Sequence, residues 1–377
     1  MARWIAAGLC VSIGGGCGGG APALTSAPVP STVAPSSELP GRGAARAPAF
    51  IPGSCEGAGC PDAAARPPSA SPPPASAEAS PSPPAESDGP SFPPPAYAPP
   101  IVRVAQPGDG VWAPLPEGAA GGSPLMVRST VHPHPIKGFV YVAVVAIDLR
   151  RVDLRLVAGT DEPESRVVPE ERRPGLIPEA DVADVLAVFN GGYMAKHGNF
   201  GMMIAGDTFL APREDSCVVA QSRDGSVRVG PWPELKSSVA DLIAYRQTPI
   251  CLVEKGATNP ALRFEETNRK WGAAVNGDRE IRRSAVGLDK SGKILFYGLG
   301  EWVTAATLAE GMKAAGADAA AQLDINWSYT YFFLLGRPSP GEPPQIVSTL
   351  IPKIKYSPQR YVKKPWARDF FYLKRRR

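Results

Sequence analysis

Histidine is nearly missing from this chain, with three in 377 residues beside six cysteines. No His/Cys group has the spacing of a zinc site, so a cysteine–histidine metal fold is not expected. Charge of one sign is also lacking. Forty Lys and Arg against 36 Asp and Glu leave a net charge of +4, too small to imply an acidic partner. Nothing has the pattern of a nucleic-acid module. The apolar run at the start, Trp4 to Ile13, is about half the length that a bilayer-spanning helix needs. No long internal repeat is present.

Proline, by contrast, is abundant and unevenly placed. Half of the 44 prolines lie between Ala21 and Pro100, among Ala, Ser and Gly. Runs such as Ser71-Pro72-Pro73-Pro74 favour extended polyproline segments without internal hydrogen bonds. So little apolar surface does not offset the entropy of ordering, and 21–124 reads as a disordered tether. The remainder, 125–377, is long enough for one well-buried domain.

Residues 1–20 have the order of an export signal: Arg3, the apolar run, then a small-residue region around Cys17. Cys17 followed by glycines and a tether admits a lipid anchor of the lipoprotein type. Plain secretion is the alternative. Either route would place the protein in a bacterial cell envelope, periplasmic or on the outer surface. Export permits disulfides. Cys55 and Cys60 can close a small loop in the tether. Cys217 and Cys251 are the two cysteines of the domain, either bridged or two small core residues. The basic cluster Lys363-Lys364 and Lys374 to Arg377 is read as a solvated terminus, able to touch anionic lipid or cell-wall polymer by charge alone.

Within the domain, Tyr141 to Ile147 is a β-branched run expected to be a strand buried on both faces. Val152 to Val157 alternates as a half-exposed strand does. Behind Pro178, the residues Val182, Val185, Leu186 and Phe189 fall at helical spacing. Phe200 to Ile204 and Cys217 to Ala220 read as strands, and Asp224-Gly225 as a hairpin turn. Asp289 to Gly292 is a second turn, pairing Ala285–Leu288 with Ile294–Tyr297. Thr307-Leu308-Ala309-Glu310 has the form of a capping box, opening a helix that ends near Gly316. Ala319 to Leu323 then returns as a buried strand ending at Asp324. The expected class is α+β: a mixed sheet covered by a few helices.

Three short corners carry the chemistry. Asn190-Gly191-Gly192-Tyr193 ends an apolar segment with an amide and two flexible residues. Arg283-Ser284-Ala285-Val286-Gly287 opens a strand with a guanidinium suited to a phosphate oxygen. Leu323-Asp324-Ile325-Asn326-Trp327-Ser328 puts a carboxylate at the end of a tightly packed strand. Partial desolvation there raises its pKa and fits it for acid–base work. If the segment stays extended, Asp324, Asn326, Ser328 and Thr330 form a polar edge. Ile325, Trp327, Tyr329 and Tyr331 then form an aromatic one. Trp327 is either a sugar-stacking platform or a buried aromatic. Arg282, His197, Asp289 and Glu301 are read as ordinary surface or turn residues, and Asp278 as part of an Asn276-Gly277-Asp278 turn.

In this order, the three corners resemble the phosphodiester glycosidase family. Its members carry an Asn-Gly-Gly-aromatic corner, an Arg-Thr-Ala-Ile-Gly strand and a Leu-Asp-Gly-Gly-Gly-Ser loop. Here Ile325, Asn326 and Trp327 replace the three glycines. The resemblance spans about Tyr141 to Leu335. It implies a hydrolase acting on a sugar-1-phosphodiester of an envelope or external glycan. Asp324 would be acid–base or nucleophile, and Arg283 would bind phosphate. Asn190 would orient a sugar hydroxyl or hold the catalytic carboxylate, and Asn326 would orient the sugar, with Gly191, Gly192, Tyr193, Ser328 and Trp327 around it. A second carboxylate, usual in glycosidases, is not identified. No cofactor is required, although acids near one pocket could hold Ca²⁺. The partner expected is a carbohydrate or sugar phosphate, with no nucleic acid. A catalytically silent glycan binder, or an envelope scaffold with a structural Asp324, are the competing readings.

Overall fold

The computed structural model describes residues 90–115, 123–274, 277 and 279–377. They belong to one compact unit. The export signal, Cys10, Cys17, Cys55 and Cys60 lie outside the described residues, as do Asn276 and Asp278.

Three antiparallel sheets, not one mixed sheet, make the domain, and helices are few. The largest has eight strands. Its centre runs Met126–Val131, Val142–Asp148, Ile294–Val303, Ile281–Leu288 and Ala319–Ile325. As the β-branched run implied, Val142–Asp148 is buried throughout. Alternation divides its side chains: Val145 and Ile147 face the core shared by all three sheets. Val142, Val144 and Ala146 face the helix Ala305–Ala314.

The second sheet orders Asp207–Leu210, Met202–Ile204, Leu242–Thr248, Cys217–Ser222 and Val227–Pro231. The third orders Gln345–Thr349, Phe332–Gly336, Val185–Asn190, Phe370–Arg375 and Val152–Val157. Phe189, Phe332 and Phe371 from the third sheet stack beside Tyr297 of the first. The Asp289–Gly292 turn joins its two strands as expected, with Asp289 accepting the Lys293 and Ile294 N–H groups.

Four expectations are corrected. The helix behind Pro178 covers only Glu179–Val182, and Val185–Asn190 is a strand. Its β-branched and aromatic residues gain more from pairing on both sides with Phe332–Gly336 and Phe370–Arg375 than from one exposed helical turn. The helix Ala305–Ala314 is capped by Thr304, whose hydroxyl accepts the Thr307 N–H at 3.1 Å. Thr307 lies one turn inside. Its C-terminus is as expected: Gly316 at φ +105° completes paired backbone bonds, Gly316 N–H to Lys313 and Ala317 N–H to Met312.

The tether boundary also moves. In 90–115, Trp112 stacks on Phe296, Leu115 is buried, and Asp109 pairs with His132 at 2.8 Å. Finally, the basic terminus is not a solvated tail. Phe370–Arg375 is an inner strand, and Lys374, Arg376 and Arg377 pair with Asp181, Asp153 and Asp184. The charge cluster had concealed the apolar run Phe370-Phe371-Tyr372-Leu373.

Cys217 and Cys251 are bridged, 34 residues apart. Closing a loop of that length in the unfolded chain stabilises the fold by about 4 kcal/mol. Replacing both by Ser should lower the unfolding free energy in urea by that amount. An unchanged midpoint would show that the bridge constrains nothing.

Candidate active site

Strand ends of the first and third sheets converge on one place. Asp324 lies one residue before the end of Ala319–Ile325, Asn190 ends Val185–Asn190, and Asp369 immediately precedes Phe370–Arg375. Gly191 connects them through its backbone. Its carbonyl accepts the Asp324 N–H at 3.0 Å, and its N–H donates to the Asp369 carbonyl at 3.1 Å. Glycine is required there, because a Cβ would stand 2.1 Å from the Asp369 carboxylate. A Cβ on Gly192 would meet the Arg246 guanidinium at 2.7 Å.

Above this junction lies a cavity of about 370 Å³, within the usual range for small-ligand sites. Asp324 opens onto its floor, 6% exposed. Burial pushes the Asp324 carboxyl up to about 7, against the pull of the Arg368 guanidinium and the Ile325 N–H. Arg368 donates to Asp324 Oδ2 at 2.5 Å and stacks over Tyr329, which also lines the cavity. Ile325 N–H binds Oδ1 at 2.9 Å. Exposed Arg269, Lys270 and His197 stand at the rim. A carboxyl poised between its two forms thus faces a cationic cavity.

Two buried arginines build the walls. Arg246, from the second sheet, pairs with Asp369 at 2.9 Å. It also donates to the carbonyls of Tyr193 and Phe200, on one wall. Arg283 donates to the carbonyl of Gly272, on the other wall, and to Trp271, Arg279, Val303 and Gln322 behind it. Arg283 is 1% exposed and does not line the cavity. Its donors are taken up by the protein, so the structure does not bring it to a substrate phosphate. Arg368, by contrast, lines the cavity beside Asp324.

The other expected residues divide. Tyr193 and Asn326 line the cavity, and Tyr193 donates its hydroxyl proton to the Trp271 carbonyl. Asn190 does not reach the cavity: it is buried, bonded to Ser284, Tyr297 and the Tyr331 N–H. Gly191 and Gly192 lie beneath the cavity floor as spacers. Ser328 is exposed and Trp327 half-buried, neither lining the cavity.

The extended polar edge does not form. Asn326 turns the chain at φ +98°, a region open to glycine and tolerated best by Asn among other residues. Its side chain accepts the Trp327 N–H. One replaced glycine is therefore answered by the residue type that best imitates it. Arg282, expected as an exposed charge, is buried against Glu301 and Trp327.

Arg368, Asp369 and Arg246 were missed from sequence. Arg368-Asp369 does precede an apolar strand, the same kind of corner as Asn190 and Asp324, but the basic residues around it masked that signal. Among the described residues, no three His, Cys, Asp or Glu side chains gather as a metal cluster. Nor, among them, is any helix long and apolar enough to cross a membrane. A more open groove of about 910 Å³ borders the Ala195–His197 turn, but Asp324 and the other expected site residues do not line it.

No protein-family model and no curated protein matches the chain. Three solved structures are distantly similar. The zebrafish N-acetylglucosamine-1-phosphodiester alpha-N-acetylglucosaminidase catalytic domain, auto-inhibited by its pro-peptide, aligns over 68% of this chain and 85% of its own. Identity is 17% and the TM-score 0.43. A hypothetical protein from Synechocystis aligns over 67% and 62%, with 11% identity and TM-score 0.39. A Burkholderia pseudomallei protein described as exported aligns over 62% and 74%, with 12% identity and TM-score 0.32. Scores of this size carry no functional argument, and the chemistry is read from the residues themselves.

Proposed function

We propose that the cavity is the active site of a hydrolase that cleaves the bond between a sugar anomeric carbon and a phosphodiester oxygen. The observation that carries this reading is Asp324: a carboxyl raised to about 7, ion-paired to Arg368, on the floor of a cationic cavity. The ionised form is the working one, because Arg368 and the Ile325 N–H both favour it. It removes a proton from water as the water oxygen attacks the anomeric carbon. The carbon–oxygen bond breaks, releasing free sugar and a phosphomonoester. Such a leaving group needs little protonation, so a second acid at the cavity is dispensable. Arg368, Arg269 and Lys270 bind the phosphate, and Asn326 and Tyr193 border the sugar. The Cys217–Cys251 bridge supports a setting outside the reducing cytosol, in keeping with export.

The test is sugar release from a panel of sugar-1-phosphodiesters by the full-length protein, with and without Ca²⁺. For a base of this kind, kcat/KM rises with pH through a midpoint near 7. Arg368 lowers that midpoint, so Arg368→Gln should move it upward while weakening substrate binding. A folded protein without turnover on any member would reduce the cavity to a binding site.

A further inference from the structure

Asn326 lines the cavity, but the next residue, Trp327, leaves it and meets Trp302. Their rings pack edge to face with centroids 4.8 Å apart. Trp302 is 52% exposed and held at φ +59°. A bulky residue rarely takes that conformation unless its surroundings impose it. Here a bulge imposes it: the pairing of Ile281–Leu288 with Ile294–Val303 shifts register between Ile281 and Arg283. The strand end thereby presents an indole to solvent on a left-handed backbone.

The support beneath it is rigid. The Arg282 guanidinium covers the Trp327 ring at 4.9 Å and donates to the Trp327 carbonyl at 2.9 Å. Its Nε donates to Glu301 at 3.2 Å. A half-exposed indole, with an acceptor and a cation fixed beside it, therefore continues from the cavity mouth.

We infer that Trp302, Trp327, Arg282 and Glu301 form a glycan-binding ledge that holds sugar units beyond the one in the cavity. A pyranose ring offers a flat C–H face to an indole, and its rim hydroxyls donate to Glu301, which Arg282 holds in place from beneath. The partly exposed Glu301 carboxylate disfavours an apolar protein partner, which would have to bury it. It also disfavours an anionic lipid surface, which would repel Glu301. Continuity through Asn326–Trp327 sets the direction. The inference deepens the proposed function, on which it rests for its substrate: an oligosaccharide-bearing phosphodiester rather than a single sugar phosphate.

The experiment titrates the full-length protein with three phosphate-free hexasaccharides: β-1,4-linked glucose, β-1,4-linked N-acetylglucosamine and α-1,4-linked glucose. Calorimetry and quenching of indole fluorescence report binding. Trp302→Gly relieves the left-handed backbone while removing the ring, so folding is not at risk. It is expected to weaken binding of at least one hexasaccharide by about 10-fold or more, as loss of an aromatic anchor does. Trp302→Tyr should retain most of the affinity. Binding of none of the three by the wild type, or equal binding by Trp302→Gly, overturns the ledge. Turnover of a small sugar-1-phosphodiester, measured on the same samples, separates the two ideas. Ledge binding without turnover defeats the hydrolase reading and leaves the ledge standing.

Discussion

Asp324→Asn is expected to abolish turnover and, above pH 7, to make the protein more stable. The activity loss should be on the order of 10³-fold or more, since the variant has no group to accept the proton of water. The stability gain comes from the same burial. In the unfolded chain the carboxyl titrates near its ordinary value of 3.8, and in the folded protein near 7. Between these values the folded state holds the proton that the unfolded state has lost. Stability therefore falls as pH rises across that window and stays low above it. A rise of this size corresponds to roughly 4 kcal/mol. Asn carries no charge to bury, although it gives up the ion pair with Arg368. A thermal midpoint raised by about 5 °C at pH 8, with little gain at pH 4, is the expected signature. Differential scanning calorimetry at both values decides it. A variant less stable at pH 8 would make Asp324 a structural residue, as a scaffold protein would require.

Asp369→Ala should have the largest effect on folding. It leaves Arg246 buried and unpaired, along with the Gly192 N–H that donates to Asp369 at 2.9 Å. Stranding one partner of a buried pair costs about 3–5 kcal/mol. That is a large share of the 5–15 kcal/mol typical of a whole domain. Urea unfolding followed by circular dichroism measures it. Removing both charges, in Asp369→Ala with Arg246→Met, should recover part of the loss, because no charge then stays unpaired. A single variant within 1 kcal/mol of wild type would show that water reaches Arg246.

The sequence made the sheet centre and the main acid legible because each depends on local pattern. Val142–Asp148 is continuously apolar, and the strand into Asp324 is a run of small residues. Three things were not local. Val185–Asn190 has a spacing that satisfies helix and strand alike, and only its two neighbours decide between them. Arg368, the partner of Asp324, lies just before a strand whose basic flanks resemble a solvated tail. Arg283 and Arg368 are both arginines beside apolar strands, and sequence cannot say which guanidinium is spent on carbonyls. The resemblance to phosphodiester glycosidases drew attention to the junction where Asn190, Gly191 and Asp324 meet. It gave Arg283 to phosphate and Asn190 to a sugar hydroxyl or the catalytic carboxylate; in the structure both bond to the protein itself.

The manner in which the cavity walls are held has a consequence for variation. Arg246 and Arg283 grip main-chain carbonyls, which any amino acid supplies in the same place. Side chains at Met194, His197, Arg269, Lys270 and Ala273 can therefore be exchanged without loosening the frame that carries them. Such a design separates the conformation of a loop from its identity. Libraries randomised at those five positions should yield folded proteins at high frequency, with ligand preference altered and the Asp324–Arg368 pair untouched.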